Sequence, residues 1–165
     1  MQPPDLPGNE EERLKSLYVT GLLDTRDDER FERLTRLARR VFQVPVALIS
    51  LLDRDRQWLL ACERLGIRDP PRNISFCGHA ILHEGPFIIH DAAADKRFHD
   101  NPLVTGEPHI RFYAGQPVSL PDGTVAGTLE KIKNDFNQAI RDIGGSADYA
   151  QPKYHFTLDA ANAFG

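Results

Sequence analysis

Several things are scarce in this chain. It carries two cysteines in 165 residues, too few for the disulfide framework that staples small secreted domains. No apolar run approaches the ~20 residues needed to span a bilayer. The opening, Met1-Gln2-Pro3-Pro4-Asp5-Leu6-Pro7-Gly8, lacks the charged and apolar regions of a secretion signal. These absences predict a cytoplasmic protein with reduced thiols and no membrane partner. An excess of basic charge is missing too. The formal net charge is -4, whereas a polyanion selects a basic face, so no nucleic-acid partner is expected. Arg30, Arg33, Arg36, Arg39 and Arg40 do gather, but Asp27, Asp28, Glu29 and Glu32 stand among them. That mixture reads as a solvated helix face laced with ion pairs.

What is present suits one soluble domain, with 41% hydrophobic and 27% charged residues. Residues 1–8 hold three prolines and a glycine and read as a flexible lead-in. Asn9 followed by Glu12 has capping-box spacing. Leu14, Leu17, Tyr18 and Leu22 then recur on one face, predicting a first helix of about four turns. Thr25 or Asp27 is placed to cap a second helix, with an apolar stripe of Phe31, Leu34, Leu37, Ala38 and Val41, ended by Pro45.

Val46 to Leu52 is almost continuously apolar, which fits a central strand covered on both faces. After the turn Asp53-Arg54-Asp55-Arg56, Gln57 to Cys62 returns as a second strand. Residues 66–73 contain Pro70-Pro71 and read as loop. Ser75 can cap a short helix through His83, and Pro86 to His90 is a third strand. Asp91 caps another short helix, and 101–109 reads as loop. Ile110 to Val118 is a fourth strand, Pro121-Asp122-Gly123 a hairpin turn, and Thr124 to Leu129 a fifth strand. The order predicts an α+β fold. A central antiparallel sheet of five or six strands would carry N-terminal and C-terminal helices on one face and a helix-and-loop cap on the other.

Three blocks carry a family resemblance. The first is the helix linker Gly21-Leu22-Leu23-Asp24-Thr25. The second is Val46 to Asp53 followed by Arg56-Gln57-Trp58. The third runs from Ile74-Ser75-Phe76-Cys77-Gly78-His79-Ala80-Ile81, through Pro86 to Asp91 and Asp95 to Phe98, to Ile110–Val118. Over residues 9–129 the chain resembles a GAF domain of the kind found at the input end of bacterial signalling proteins. The resemblance implies a sensory module that holds a small molecule between sheet and cap, does no chemistry itself and is not an enzyme. It also implies a homodimer that relays the signal through its terminal helices. Relatives precede a diguanylate cyclase, a histidine kinase or a phosphodiesterase, or stand alone. Neither the ligand nor any cofactor is named by it. The other readings are a structural dimerisation domain whose pocket is filled by its own side chains and a redox enzyme of the free methionine-(R)-sulfoxide reductase type using Cys77.

The candidate ligand-binding residues are Phe76, Cys77, His79, Asp91, Phe98, Arg111 and Tyr113. The crossover from the second to the third strand must pass over one sheet face, which would put residues 75–101 above the ligand. Cys77 at the start of a short helix would have its thiol pKa lowered by the local dipole. A related enzyme reduces free methionine sulfoxide with cysteines, and bilin photoreceptors attach a chromophore through one. Against that, Cys62 is the only other thiol, and a half-buried packing cysteine is the plain alternative. His79 and His83 lie one turn apart, with His90, His99 and His109 elsewhere, yet no second pair has metal-ligand spacing, so no metal is expected. Asp91 precedes Ala92-Ala93-Ala94 and reads first as an N-cap. Arg111, if it pointed inward, would favour an anionic ligand. Trp58 reads as packing under a helix.

The tail differs in composition. Residues 1–129 hold 14 Arg and 2 Lys, while 130–165 hold 1 Arg and 3 Lys, so 130–165 reads as an atypical extension. Glu130 to Ile143 has Ile132, Phe136, Ile140 and Ile143 at helical spacing. Gly144-Gly145-Ser146 would end that helix. Tyr154, Phe156 and Leu158 alternate as a short strand would. The helix is expected to cover the N-terminal helices, with a partner chain or the Tyr154–Leu158 strand as the alternatives.

Overall fold

The computed structural model describes residues 1–25, 28–62, 65, 67, 69–133 and 156–157. Helices α1 (Glu10–Val19) and α2 (Glu29–Phe42) lead into strands β1 (Val46–Leu52) and β2 (Gln57–Cys62). A 3-10 turn (Arg72–Ile74), helix α3 (Phe76–Ala80), strand β3 (Phe87–Ile89) and helix α4 (Pro102–Thr105) follow. Strands β4 (Phe112–Ser119), β5 (Val125–Lys133) and β6 (Phe156–Thr157) complete the order. Five strands form an antiparallel sheet in the order β2-β1-β5-β4-β3, and β6 adds in parallel beside Val118 and Ser119 of β4.

The sheet has two covered faces, as its central strand demands. All seven residues of β1 are buried, and their alternation divides them. Val46 and Leu48 enter the core shared with Phe76, Phe98 and Tyr113. Ile49 and Leu51 enter the core shared with Leu17, Leu22, Phe31 and Trp58. Helices α1 and α2 therefore cover one face, and α3 with residues 92–110 covers the other, which is the α+β arrangement expected.

Several local expectations are corrected. Asn9 occupies the N-cap of α1 but makes no side-chain cap bond, and the helix runs ten residues before Gly21 (φ 64) turns the chain. Tyr18 is exposed, its hydroxyl donating to Asp53 at 3.0 Å. The cap of α2 is Asp28, whose carboxylate accepts from Arg30 N at 3.0 Å, while Asp27 lies outside the described residues. The buried stripe of α2 is Phe31, Thr35 and Ala38. Leu34 (51% exposed), Leu37 (58%) and Val41 (63%) face outward. Sheet contact selects one 3–4 spaced row, and the second apolar row is left on the surface.

Residues 101–109 are not all loop. Asn101 accepts from Leu103 N at 2.9 Å and Pro102 sits at the first helical position, so one turn of helix forms as α4. The reading of Glu130 as a helix start is also overturned. β5 continues to Lys133, with Glu130 opposite Leu48 and Gly115, and Ile132 opposite Val46 and Tyr113. Pairing on both sides outweighs the helical spacing of the apolar residues. Phe136, Ile140 and Ile143 lie outside the described residues, as do Tyr154 and Leu158.

Candidate functional site

α3 owes its position to Ser75, whose hydroxyl accepts from Gly78 N at 3.0 Å and donates to Arg72 O at 2.8 Å. This seats Phe76 and Cys77 against the sheet. Phe76 stacks on Phe98 (centroids 4.3 Å) and tilts against Tyr113 (5.1 Å), while His79 meets Phe98 edge-on at 4.8 Å. Phe87, a member that sequence reasoning missed, sits 6.2 Å from Tyr113 and 6.4 Å from Phe98. Four of the proposed residues, Phe76, His79, Phe98 and Tyr113, thus converge beneath the cap. Each is buried, so the cap is closed over its own rings.

Beside the rings lies a polar cluster that local sequence pattern does not show. Glu130 is 1% exposed. Its Oε1 accepts from Thr128 Oγ1 at 2.7 Å, from Gln57 Nε2 at 3.0 Å, and from Ser50 Oγ. Ser50 also contacts Cys77 Sγ at 3.3 Å. Among the described residues no cation pairs with Glu130. Burial raises its carboxyl to about 7, and the hydroxyls around it lower it only in part. The Tyr113 hydroxyl is buried without a hydrogen bond of good geometry and folds over Gly115, where a side chain would collide with it. Burial, then Glu130 and Cys77, hold that phenol well above its ordinary value.

The same surroundings correct the reading of Cys77. Its thiol is fully buried, and burial first, then Glu130, push it up to about 12. Desolvation outweighs any dipole of a five-residue helix, so the thiol is protonated and inert at neutral pH. Cys62, at the end of β2, is half-buried. Burial holds the His79 imidazole below its ordinary range.

The remaining candidates are placed elsewhere. Asp91 accepts from Ala93 N at 3.0 Å and shapes a turn, not a helix, at the end of β3. Arg111 Nη1 donates to Val104 O at 2.9 Å and to Ile110 O at 3.1 Å, bracing α4 and not reaching the aromatic cluster. His83 stacks on Phe87 at 4.9 Å, His90 lies 6.4 Å from Phe112, and His99 and His109 sit beside Asp100 and Glu107. Among the described residues no three His, Cys, Asp or Glu side chains gather to hold a metal ion. No helix of the described residues is long and apolar enough to cross a membrane. An open groove of about 1060 Å³ lies between residues 4–12 and the β1–β2 turn, away from the ring cluster.

The sheet thus carries two helices on one face and a short-helix cap closing an aromatic cluster on the other. The chain belongs to the GAF domain family, whose sequence model matches residues 28–133. It is 47% identical over 129 residues to a cyclic di-GMP phosphodiesterase of Pseudomonas aeruginosa, a match covering 78% of this chain and 22% of that protein. The chain thus spans about a fifth of that relative's length. Solved structures share the fold, and two of them show it. One is the free methionine-R-sulfoxide reductase of Neisseria meningitidis in complex with its substrate (TM-score 0.53, 16% identity, 85% of this chain and 88% of that one). The other is the GAF domain of a phosphoenolpyruvate-protein phosphotransferase of Coxiella burnetii (TM-score 0.52, 15% identity, 83% and 94%). The family model runs on to residue 133, so the match does not break at Leu129. The expectation that the chain falls outside the enzymes is corrected, because the 47% identical relative is named for an enzymatic activity.

Proposed function

We propose that this chain is the sensory part of a cyclic di-GMP phosphodiesterase, taking up a small molecule beneath the α3 cap and setting the activity of the enzyme. The observation that carries the reading is the convergence of Phe76, His79, Phe98 and Tyr113, with the Glu130 cluster beside them, on the face opposite α1 and α2. Aromatic walls with a few polar groups are what small-molecule pockets offer. The partner is a small metabolite, not nucleic acid or membrane. Signal passes through the terminal helices of a homodimer, and the outward Leu34, Leu37 and Val41 of α2 support that assembly. A thermal-shift screen of cyclic nucleotides, amino acids and common metabolites tests the uptake. A dose-dependent rise in Tm that Phe98→Ala abolishes is expected. If no compound shifts Tm, the second reading stands: the closed ring cluster is then a filled core, and the domain serves assembly alone.

A further inference from the structure

The cap is fastened from outside. Residues 1–8 run across it: Gln2 N donates to Arg97 O at 3.0 Å, and Gln2 O faces His79 Nε2 at 3.0 Å. A carbonyl only accepts, so Nε2 carries the proton there. Two residues on, Pro4 packs on Gly78. A Cβ at position 78 would stand 2.5 Å from Pro4 Cγ, so the missing side chain is what seats the proline. The segment is then tied to α1, where Glu10 N donates to Pro7 O at 3.1 Å.

The two places that this segment grips are the two that close the ring cluster. His79 lies edge-on to Phe98, and the Arg97 guanidinium lies over Phe87 (5.1 Å) and Phe98 (5.3 Å). Gln2 bridges α3 and the Arg97 segment, so separating the two breaks one of its hydrogen bonds. The grip is also light. It consists of two hydrogen bonds, the ion pair of the Met1 amino group with the exposed Asp100, and one proline contact on an otherwise exposed segment, which places it among the contacts that open locally without unfolding the core. Three prolines in eight residues keep the free segment extended and lower the entropy lost on docking.

We propose that residues 1–8 are a latch: docked on Gly78, His79 and Arg97 they hold the cap shut, and their release is the step that admits a ligand to the ring cluster. The proposal rests on reading the cap as the ligand site, but the latch is measurable with no ligand present. Cys77, fully buried beneath the cap, reports opening. In the full chain with Cys62→Ser, its labelling rate by a disulfide reagent is measured alone and with Gly78→Ala or Gln2→Pro. The first displaces Pro4, and the second removes the N–H given to Arg97. Each is expected to speed labelling about tenfold or more, with faster amide exchange at 76–80 and 95–100 and none in β1 or β5. A smaller change, or one matched by equal loss of protection in β1 and β5, overturns the latch. Because Gly78→Ala also crowds Ser75, Gln2→Pro, on the exposed segment, decides if that variant misfolds. Should labelling behave as expected while no metabolite binds, the ligand reading fails and the latch stands.

Discussion

Gln57 Nε2 donates to Glu130 Oε1 at 3.0 Å, although β1 lies between their strands. The carboxyl at the end of this bridge has only neutral donors, and burial raises it to about 7. A carboxyl raised on folding binds its proton more tightly in the native state. Stability is therefore highest below the unfolded value and falls as pH rises through about 7, by on the order of 3 kcal/mol. Glu130→Gln is expected to flatten that slope and raise Tm at pH 8. Urea titrations at pH 5 and pH 8 measure it, and equal slopes in parent and variant refute it.

Glu10 behaves in the opposite sense. Burial pushes its carboxyl up, but hydrogen bonds from Arg13 and Arg72 outweigh burial and bring it down to about 2. A depressed carboxyl contributes stability above its unfolded value that is lost as pH falls toward 2. Glu10→Gln takes the carboxylate from the buried Arg13 and Arg72 guanidiniums, leaving them the carbonyls of Leu52, Val125 and Asp53, and should cost about 3 kcal/mol at neutral pH. A cost below that of the exposed pair variant Glu11→Gln would contradict this ranking.

Gly127 is opposite Leu51 in the ladder, and a side chain there would land on the Ser50 carbonyl. Backbone paired on both sides cannot retreat, so Gly127→Ala should lose about 3 kcal/mol. Gly85→Ala, where nothing stands within 4 Å, should leave Tm unchanged.

Much of this was legible in the sequence, and the failures have physical reasons. β1 and β2 were readable because burial on both faces leaves an apolar run bounded by turn residues. The gathering of Phe76, His79 and Phe98 followed from the crossover that must pass over one face. Glu130 and Ile132 were misread because Ile132, Phe136, Ile140 and Ile143 fit a helix, and only pairing with β1 and β4 reveals a strand. The Ser50–Gln57–Thr128–Glu130 cluster joins three strands across the sheet, so no local spacing could signal it. Asn101-Pro102 does signal α4, as an N-cap before a first-turn proline, but two prolines and a glycine within nine residues carry the stronger loop pattern.

The outward row of α2 yields a further expectation. Leu34→Glu with Leu37→Glu changes side chains already half exposed, so folding should be intact. Sedimentation should show the parent as a dimer and the variant as a monomer. A parent that is monomeric at all concentrations removes the dimer from the account.

Uptake of a small molecule beneath the cap is measured most directly by native mass spectrometry of protein purified from its source. A discrete mass increment is expected, lost on denaturation and absent from Phe98→Ala. Bare protein, with no increment restored by incubation in an extract of the source, would contradict the account.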